Sequence, residues 1–362
     1  MKKQLALSAV MLALAGASHA QSSVTLFGLI DLNLNNAKAG TAAGGAGVST
    51  MNDGTVNGLN GTRWGMRTSE DLGGGLKAGA TLESGFGADN GNSFQGGRAF
   101  GRQVFLSLGT AAAGEVRLGR QYILSDSVVG QSNPFGNALT LNPGTGVTNM
   151  GKALPMFLNA PRADNTVQYQ SPKFGGVTGA VQWAPGEGTA DRFYGTRLTY
   201  GAGPLFVGMA YEWNKSRTTG ASTNKSMSLS ANYNFGAFKV LGGIQRNRDL
   251  TTTSVNGAAS GVSNLIVTGP TAATTFTMDR NDGVTFGVEA PVGATTLGVN
   301  YSRVTYKAAT GADADLGKLA FGARYSLSKN TFLYSSLSLA TGDLKEHISQ
   351  KRVVQVGLRT AF

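Results

Sequence analysis

The chain is 362 residues long, with no cysteine, 53 glycines, 9 prolines and a formal charge of +11. Without cysteine it cannot be a disulfide-held or thiolate-metal fold, and its periodic apolar residues separate it from disordered chains. The positive charge is dispersed, with no block of five like charges, so the sequence predicts no nucleic-acid partner.

In chain order, residues 1–20 read as an export signal. Lys2 and Lys3 form its charged start, residues 5–14 its apolar centre, and Ser18-His19-Ala20 its cleavage site. The expected mature chain, residues 21–362, carries +9 once Lys2 and Lys3 are removed. The apolar centre is too short to span a bilayer, and no later stretch is long and apolar enough for a transmembrane helix.

From Val24 to Phe362 the chain alternates apolar and polar residues. Met227, Leu229, Ala231, Tyr233 and Phe235 are separated by Ser228, Ser230, Asn232 and Asn234, the period of a strand with one greasy and one wet face. No helical segments remain to cover so many greasy faces. A closed barrel with lipid outside and water inside satisfies all of them. The spacing predicts about 16 antiparallel transmembrane strands in one all-β domain over 21–362. Short turns fall at 71–75, 110–114, 174–176, 201–204, 236–237, 291–293 and 328–330. Long loops fall at 36–61, 87–97, 123–164, 186–191, 214–224, 249–281, 308–314 and 342–350.

Parity assigns the two faces. Ala78, Val181, Trp183, Met209, Phe286, Phe321, Val356 and Leu358 belong to the lipid side, and Tyr169, Phe174, Phe235, Phe238, Tyr325 and Phe362 gather near the short turns. The opposite parity holds Arg63, Arg67, Lys77, Arg117, Arg197, Lys239, Lys318, Arg324 and Arg359, against Asp31, Glu83, Glu115, Glu212 and Glu289. This excess of cations favours anions in the lumen.

Catalytic and metal signatures are missing. The one histidine after the signal, His347, sits in a long loop beside Glu346, and a triad needs more. Asp31-Leu32-Asn33-Leu34-Asn35 starts like a calcium loop. Asn36 and Ala42 then stand where that motif needs glycine and glutamate. No phosphate-loop or dinucleotide fingerprint is present. The sequence therefore predicts no enzyme, no cofactor and no metal.

An ordered set of short motifs resembles the general trimeric porins of β-proteobacteria and Neisseria. It comprises Ser22-Ser23-Val24-Thr25-Leu26-Phe27-Gly28, the run from Arg63-Trp64-Gly65 through Asp71-Leu72-Gly73-Gly74-Gly75 to Ala78, Gly119-Arg120-Gln121-Tyr122, Phe174-Gly175-Gly176 and the terminal Phe362. The resemblance implies a homotrimer of 16-stranded barrels in the outer membrane of a Gram-negative bacterium, in contact with bilayer and lipopolysaccharide, passing small hydrophilic solutes and inorganic ions. It implies that the third loop, 123–164, folds into the barrel opposite a wall cluster of arginines. Arg63 and Arg102 occupy cluster positions by motif, with Arg67, Arg117, Lys318 and Arg324 as further wall cations. Arg102 shares the lipid-side parity of Val104, Leu106 and Leu108, a conflict that a bulge would remove.

Gln168 stands where the family often has a basic residue, and the loop carries only Asp126 and Asp164 as acids. The final Phe362 matches the family's signal to the barrel-assembly machinery. The function so implied is a general diffusion channel that prefers anions. A substrate-specific channel and a plugged structural or adhesin barrel are the alternatives.

Overall fold

The computed structural model describes residues 23–41, 44–55, 58–136, 162–187, 191–249, 253–255, 258–260, 264–268, 273–308, 312–347 and 350–362. The strands are β1 (Ser23–Lys38), β2 (Gly47–Asp53), β3 (Arg63–Asp71), β4 (Lys77–Gly85), β5 (Gln103–Thr110), β6 (Gly114–Tyr122), β7 (Arg162–Gln170), β8 (Val177–Ala184), β9 (Arg192–Ala202) and β10 (Leu205–Lys215). They continue with β11 (Ser222–Asn234), β12 (Lys239–Arg248), β13 (Thr253–Val255), β14 (Ala258–Ser260), β15 (Asn264–Thr268), β16 (Ala273–Val292), β17 (Thr295–Ala308), β18 (Ala314–Ser326), β19 (Thr331–Thr341) and β20 (Arg352–Ala361).

Sixteen of these close into an antiparallel barrel in the ring order β1, β3 to β12, β16 to β20 and back to β1. The remaining four decorate two long loops. The first strand makes the closure. One edge of β1 pairs with β3 from Ser23↔Ser69 to Leu29↔Arg63, then with β2 from Leu32↔Asp53 to Lys38↔Gly47. Its other edge pairs with β20 from Leu29↔Ala361 to Lys38↔Arg352. No edge of the ring is left open, the requirement for a sheet in hydrocarbon.

The alternation reads inside out, as expected. Met227 is 41% exposed on the outer face of β11, while Ser228 beside it is 1% exposed on the inner face. Most of the other buried polar residues, from Asn33 and Gln168 to Gln245 and Gln355, line the interior, and the exposed large apolar residues ring the outside. Trp183, Tyr194, Tyr211 and Trp213 crowd the outer face toward the long-loop end, with Tyr194 and Trp213 stacked at 5.0 Å. Tyr233, Phe235 and Phe238 do so at the short-turn end.

All seven predicted short turns are found. Four of the eight long loops carry more structure than expected, the 342–350 loop through a 3-10 helix at Asp343–His347. β1 runs on to Lys38 because Asn33, Asn35 and Asn36 keep its alternation, and it folds back as β2. The 123–164 segment opens with a helix and ends inside β7. The 249–281 segment contains β13 to β15 and the start of β16.

The chain end is fixed by a close approach. Phe362 and Gly28 exchange two backbone hydrogen bonds of 3.0 Å, and a Cβ on Gly28 would collide with the Phe362 ring. Gly28→Ala and Phe362→Ala are therefore both expected to lower the yield of folded barrel. Heat-modified gel mobility of extracted outer membranes measures this; unchanged folded yield in Gly28→Ala would remove the ring from the closure.

Candidate functional site: the charged lumen

Two segments turn into the barrel. After β6 the chain forms a short helix, α1 (Leu124–Val129), and a 3-10 turn at Gly130–Ser132. Ile123, the residue before α1, offers no side-chain cap, so the barrel wall supplies one. The Ser125 amide donates to Glu212 Oε1 of β10 at 2.8 Å. Arg197 of β9 donates to Ser127 Oγ at 2.7 Å, and Asn232 of β11 donates to the Gln131 carbonyl at 3.0 Å. Thr285 of β16 donates to Asn133 Oδ1 at 3.0 Å, and the Phe135 amide donates to Glu289 Oε2 at 2.9 Å. Every wall partner belongs to the inward parity, so residues 124–135 run along the inside of the barrel, as the resemblance implied. Residues 137–161 lie outside the described residues.

The second inward segment, within 54–62, was not expected. Asp31 of β1 accepts the amides of Leu59 at 3.1 Å and Asn60 at 2.7 Å, and the hydroxyl of Tyr334. Leu59 is buried against Phe332 and Tyr334, and Phe135 of the other inward segment packs on the same cluster.

A compact set of charges faces α1. Glu83 of β4 accepts from Arg102 Nε at 2.6 Å and Gln103 Nε2 at 2.7 Å, and lies 3.5 Å from Arg63 of β3. The Tyr122 hydroxyl accepts from Arg102 at 2.6 Å and from Arg162 at 2.7 Å, with the Arg162 guanidinium 4.4 Å from the Tyr122 ring centroid. Asp126, in the first turn of α1, completes the group. Burial pushes its carboxyl up to about 6, against the pull of Arg162, Arg102 and Arg63.

Arg102 thus lies inside. β5 begins only at Gln103, so the parity of Val104, Leu106 and Leu108 does not reach it, and its backbone amide bonds the Glu83 carbonyl at 3.1 Å. Arg162, inside the expected 123–164 loop, and Tyr122 belong to the group because β7 starts at Arg162 and pairs it with Tyr122.

The other predicted positions line the wall at separate places. Arg67 lies over the Phe27 ring at 4.5 Å. Arg117 pairs with Glu115 at 2.6 Å and stacks 5.2 Å from Phe105, and Gln168 faces Arg117 across the β6–β7 register. Arg324 lies over Phe332. Lys318 points inward yet is only 1% exposed, so it meets almost no lumen water, unlike the solvated wall charge expected.

Tyr122 holds two arginines through one oxygen. Tyr122→Phe is expected to cost on the order of 2–3 kcal/mol, since hydrogen bonds to charged groups contribute that much when their partner is lost in a buried place. A lowered urea midpoint of the refolded barrel measures it, and an unchanged midpoint would show that water replaces the hydroxyl.

Known proteins agree with this geometry. A family profile described as Gram-negative porin matches residues 6–343. The chain is 31% identical to an outer membrane porin protein of Bordetella pertussis and 32% identical to outer membrane porin protein 32 of Delftia acidovorans, each over 100% of both chains. The anion-selective porin from Comamonas acidovorans superposes with a TM-score of 0.72 at 27% identity, covering 94% of this chain and 100% of that one. OmpT of Vibrio cholerae, at 16% identity and a TM-score of 0.66, shares the fold. A closed 16-stranded barrel with a charged, loop-narrowed interior and full-length porin relatives leaves one conclusion: the chain belongs to the Gram-negative porin family of the outer membrane.

Proposed function

We propose that the protein is a general diffusion porin, a homotrimer whose lumen passes small hydrophilic solutes down their gradients with a preference for anions. Residues 1–20 are its removed export signal, residues 21–362 its barrel domain, and Phe362 its contact with the assembly machinery. Lipopolysaccharide surrounds its outer half. The observation that carries the preference is the group of Arg63, Arg102 and Arg162 around a single wall carboxylate, Glu83, facing one loop carboxylate, Asp126. This group forms the constriction. Solutes pass between the three guanidiniums and α1, and small anions are drawn through by the net positive field.

The rest of the wall extends the bias. Leaving aside buried Lys318 and the facing pair Asp71 and Lys77 at a turn, the described inward face carries nine cations. They are Arg63, Arg67, Arg102, Arg117, Arg162, Arg197, Lys239, Arg324 and Arg359. Six carboxylates oppose them: Asp31, Glu83, Glu115, Asp126, Glu212 and Glu289. The selectivity of the Comamonas relative fits the same reading.

Reversal potentials in a potassium chloride gradient across a planar bilayer test this. Chloride preference is expected in dilute salt and should fade as the Debye length falls from about 10 Å at 0.1 M to about 3 Å at 1 M. Arg63→Glu should shift the potential toward cations. A cation-selective wild type would end the charge reading.

Asp126 adds a pH step. Above about 6 its carboxylate opposes the arginines, and as pH falls through about 6 it is protonated and that opposition disappears. Chloride preference should therefore rise between pH 7.5 and pH 5, and Asp126→Asn should make that rise smaller. A variant that keeps the full pH step would place the titrating group elsewhere.

A further inference from the structure

The outer face of β10, β11, β12, β16 and β17 changes character over three rows toward the long-loop end. Register aligns Met209, Leu229, Ile244 and Val284 in an apolar row. The next row holds Tyr211, Met227, Arg246 and Asp282. The one after it holds Trp213, Lys225, Arg248, Arg280 and Lys307. The chain neighbours of this last row, Asn214, Asn224, Asn247, Asn281 and Tyr306, are buried on the inward face, so its cations point away from the lumen.

Lys225 stands directly across from Arg248, and Arg248 directly across from Arg280. Like charges opposed in this way destabilise a sheet. Two carboxylates answer them in part. Asp249 pairs with Lys225 at 2.7 Å, and Asp282 is shared between Arg246 at 2.6 Å and Arg280 at 3.2 Å. Among the described residues Arg248 has no ion pair. Ion pairs this exposed contribute little to stability, so folding does not account for gathering four cations here.

Their height identifies what they meet. Eight residues separate Lys225 from Tyr233, whose ring belongs to the aromatic group at the short-turn end. That is about 26 Å along the strand, comparable with the apolar band of an outer-membrane barrel. The cation row therefore stands above the hydrocarbon, at the headgroups of the outer leaflet, and the apolar row lies below it among acyl chains. A cleft of about 670 Å³ opens across the rows, and its lining includes Tyr211, Lys225, Met227, Ile244, Arg246 and Arg248. Guanidiniums bind phosphate oxygens bidentately. A soluble anion uses only the charged part of this cleft, whereas a lipid with a phosphorylated headgroup uses the charged and the apolar parts together.

We propose that Lys225, Arg246, Arg248 and Arg280 form a binding site for a phosphorylated glycolipid of the outer leaflet, the lipid portion of lipopolysaccharide. Its phosphate lies against the guanidiniums and an acyl chain covers Met227 and Ile244. The inference rests on the outer-membrane reading and turns a general lipid contact into a site at named residues.

Retention of lipid by the folded protein in detergent tests the site, with bisphosphorylated lipid A, its dephosphorylated form and inorganic phosphate as probes. The wild type should retain bisphosphorylated lipid A at a concentration about tenfold below the dephosphorylated form. The double variant Arg248→Gln, Arg280→Gln should lose most of that advantage, whereas Lys329→Gln, in the short turn at 328–330, should keep it. Should the double variant fail the heat-shift assay for folding, Arg248→Gln alone provides the measurement, and its advantage should shrink severalfold. Equal retention of the two lipids by a folded wild type overturns the site and leaves the porin reading intact. So does displacement of lipid A by inorganic phosphate at a matching concentration, which would make this a site for free anions. An undiminished advantage in a folded variant overturns it too, and if that variant has lost its trimer the face is a contact between copies. A wild type that forms no channel overturns the porin reading itself, and lipid retention then still decides the site.

Discussion

A sheet inside hydrocarbon must pair every backbone amide, and β1 is where this chain meets that demand. It serves three partners, β2, β3 and β20, and so closes sixteen strands into a ring without an edge. Closure then dictates polarity. The outward face must be apolar, so the charged and amide side chains of every strand turn to the same interior. An arginine that a soluble sheet would place in bulk water is here held within reach of carboxylates and aromatic rings on neighbouring strands.

The inward carboxylates act mainly as fasteners. Asp31 holds the 54–62 segment, Glu212 holds the start of α1, and Glu289 holds Phe135, each by accepting backbone amides. A six-residue helix cannot stand alone in water, so α1 owes its place to these bonds and to the apolar contacts of Leu124, Val128 and Val129. Glu83 fixes Arg102 in the same manner. The arginines are held from one side by a carboxylate, a hydroxyl or a ring. The carboxylates thus sit at attachment points, while Arg63, Arg102 and Arg162 face α1.

Much of the fold was legible because a period of two survives in one sequence without comparison. The seven short turns, the strand count and the faces of Arg63, Arg67 and Glu83 follow from it. What failed depended on where strands begin. The motif places Arg102 in the cluster while parity argues against it, because the strand starts one residue later, and Arg162 falls within the expected 123–164 loop because Asp164 and Asn165 break the alternation just inside β7. The structure shows a register shift there, between Gly119 and Gln121, and a positive φ of 55° at Asn165. The inward path of Leu59 had no sequence signal, since its cause is a carboxylate on another element.

Fastening also changes what a charge substitution means in this pore. Removing Glu212 or Glu289 deletes a negative charge and, in the same act, releases a backbone amide of the inner segment. The effect on selectivity therefore mixes electrostatics with aperture, whereas Asp126 sits on the helix and faces the arginines. Phe135 shows how far the mixing extends. Its amide is tied to Glu289, its φ is +59°, and its ring packs on the cluster that contains Leu59. A non-glycine residue holds that backbone region only when its surroundings over-determine it. The two inward segments are thus joined through the Phe135 side chain, and the wall carboxylates that anchor them, Asp31 and Glu289, hold one connected unit rather than two independent ones.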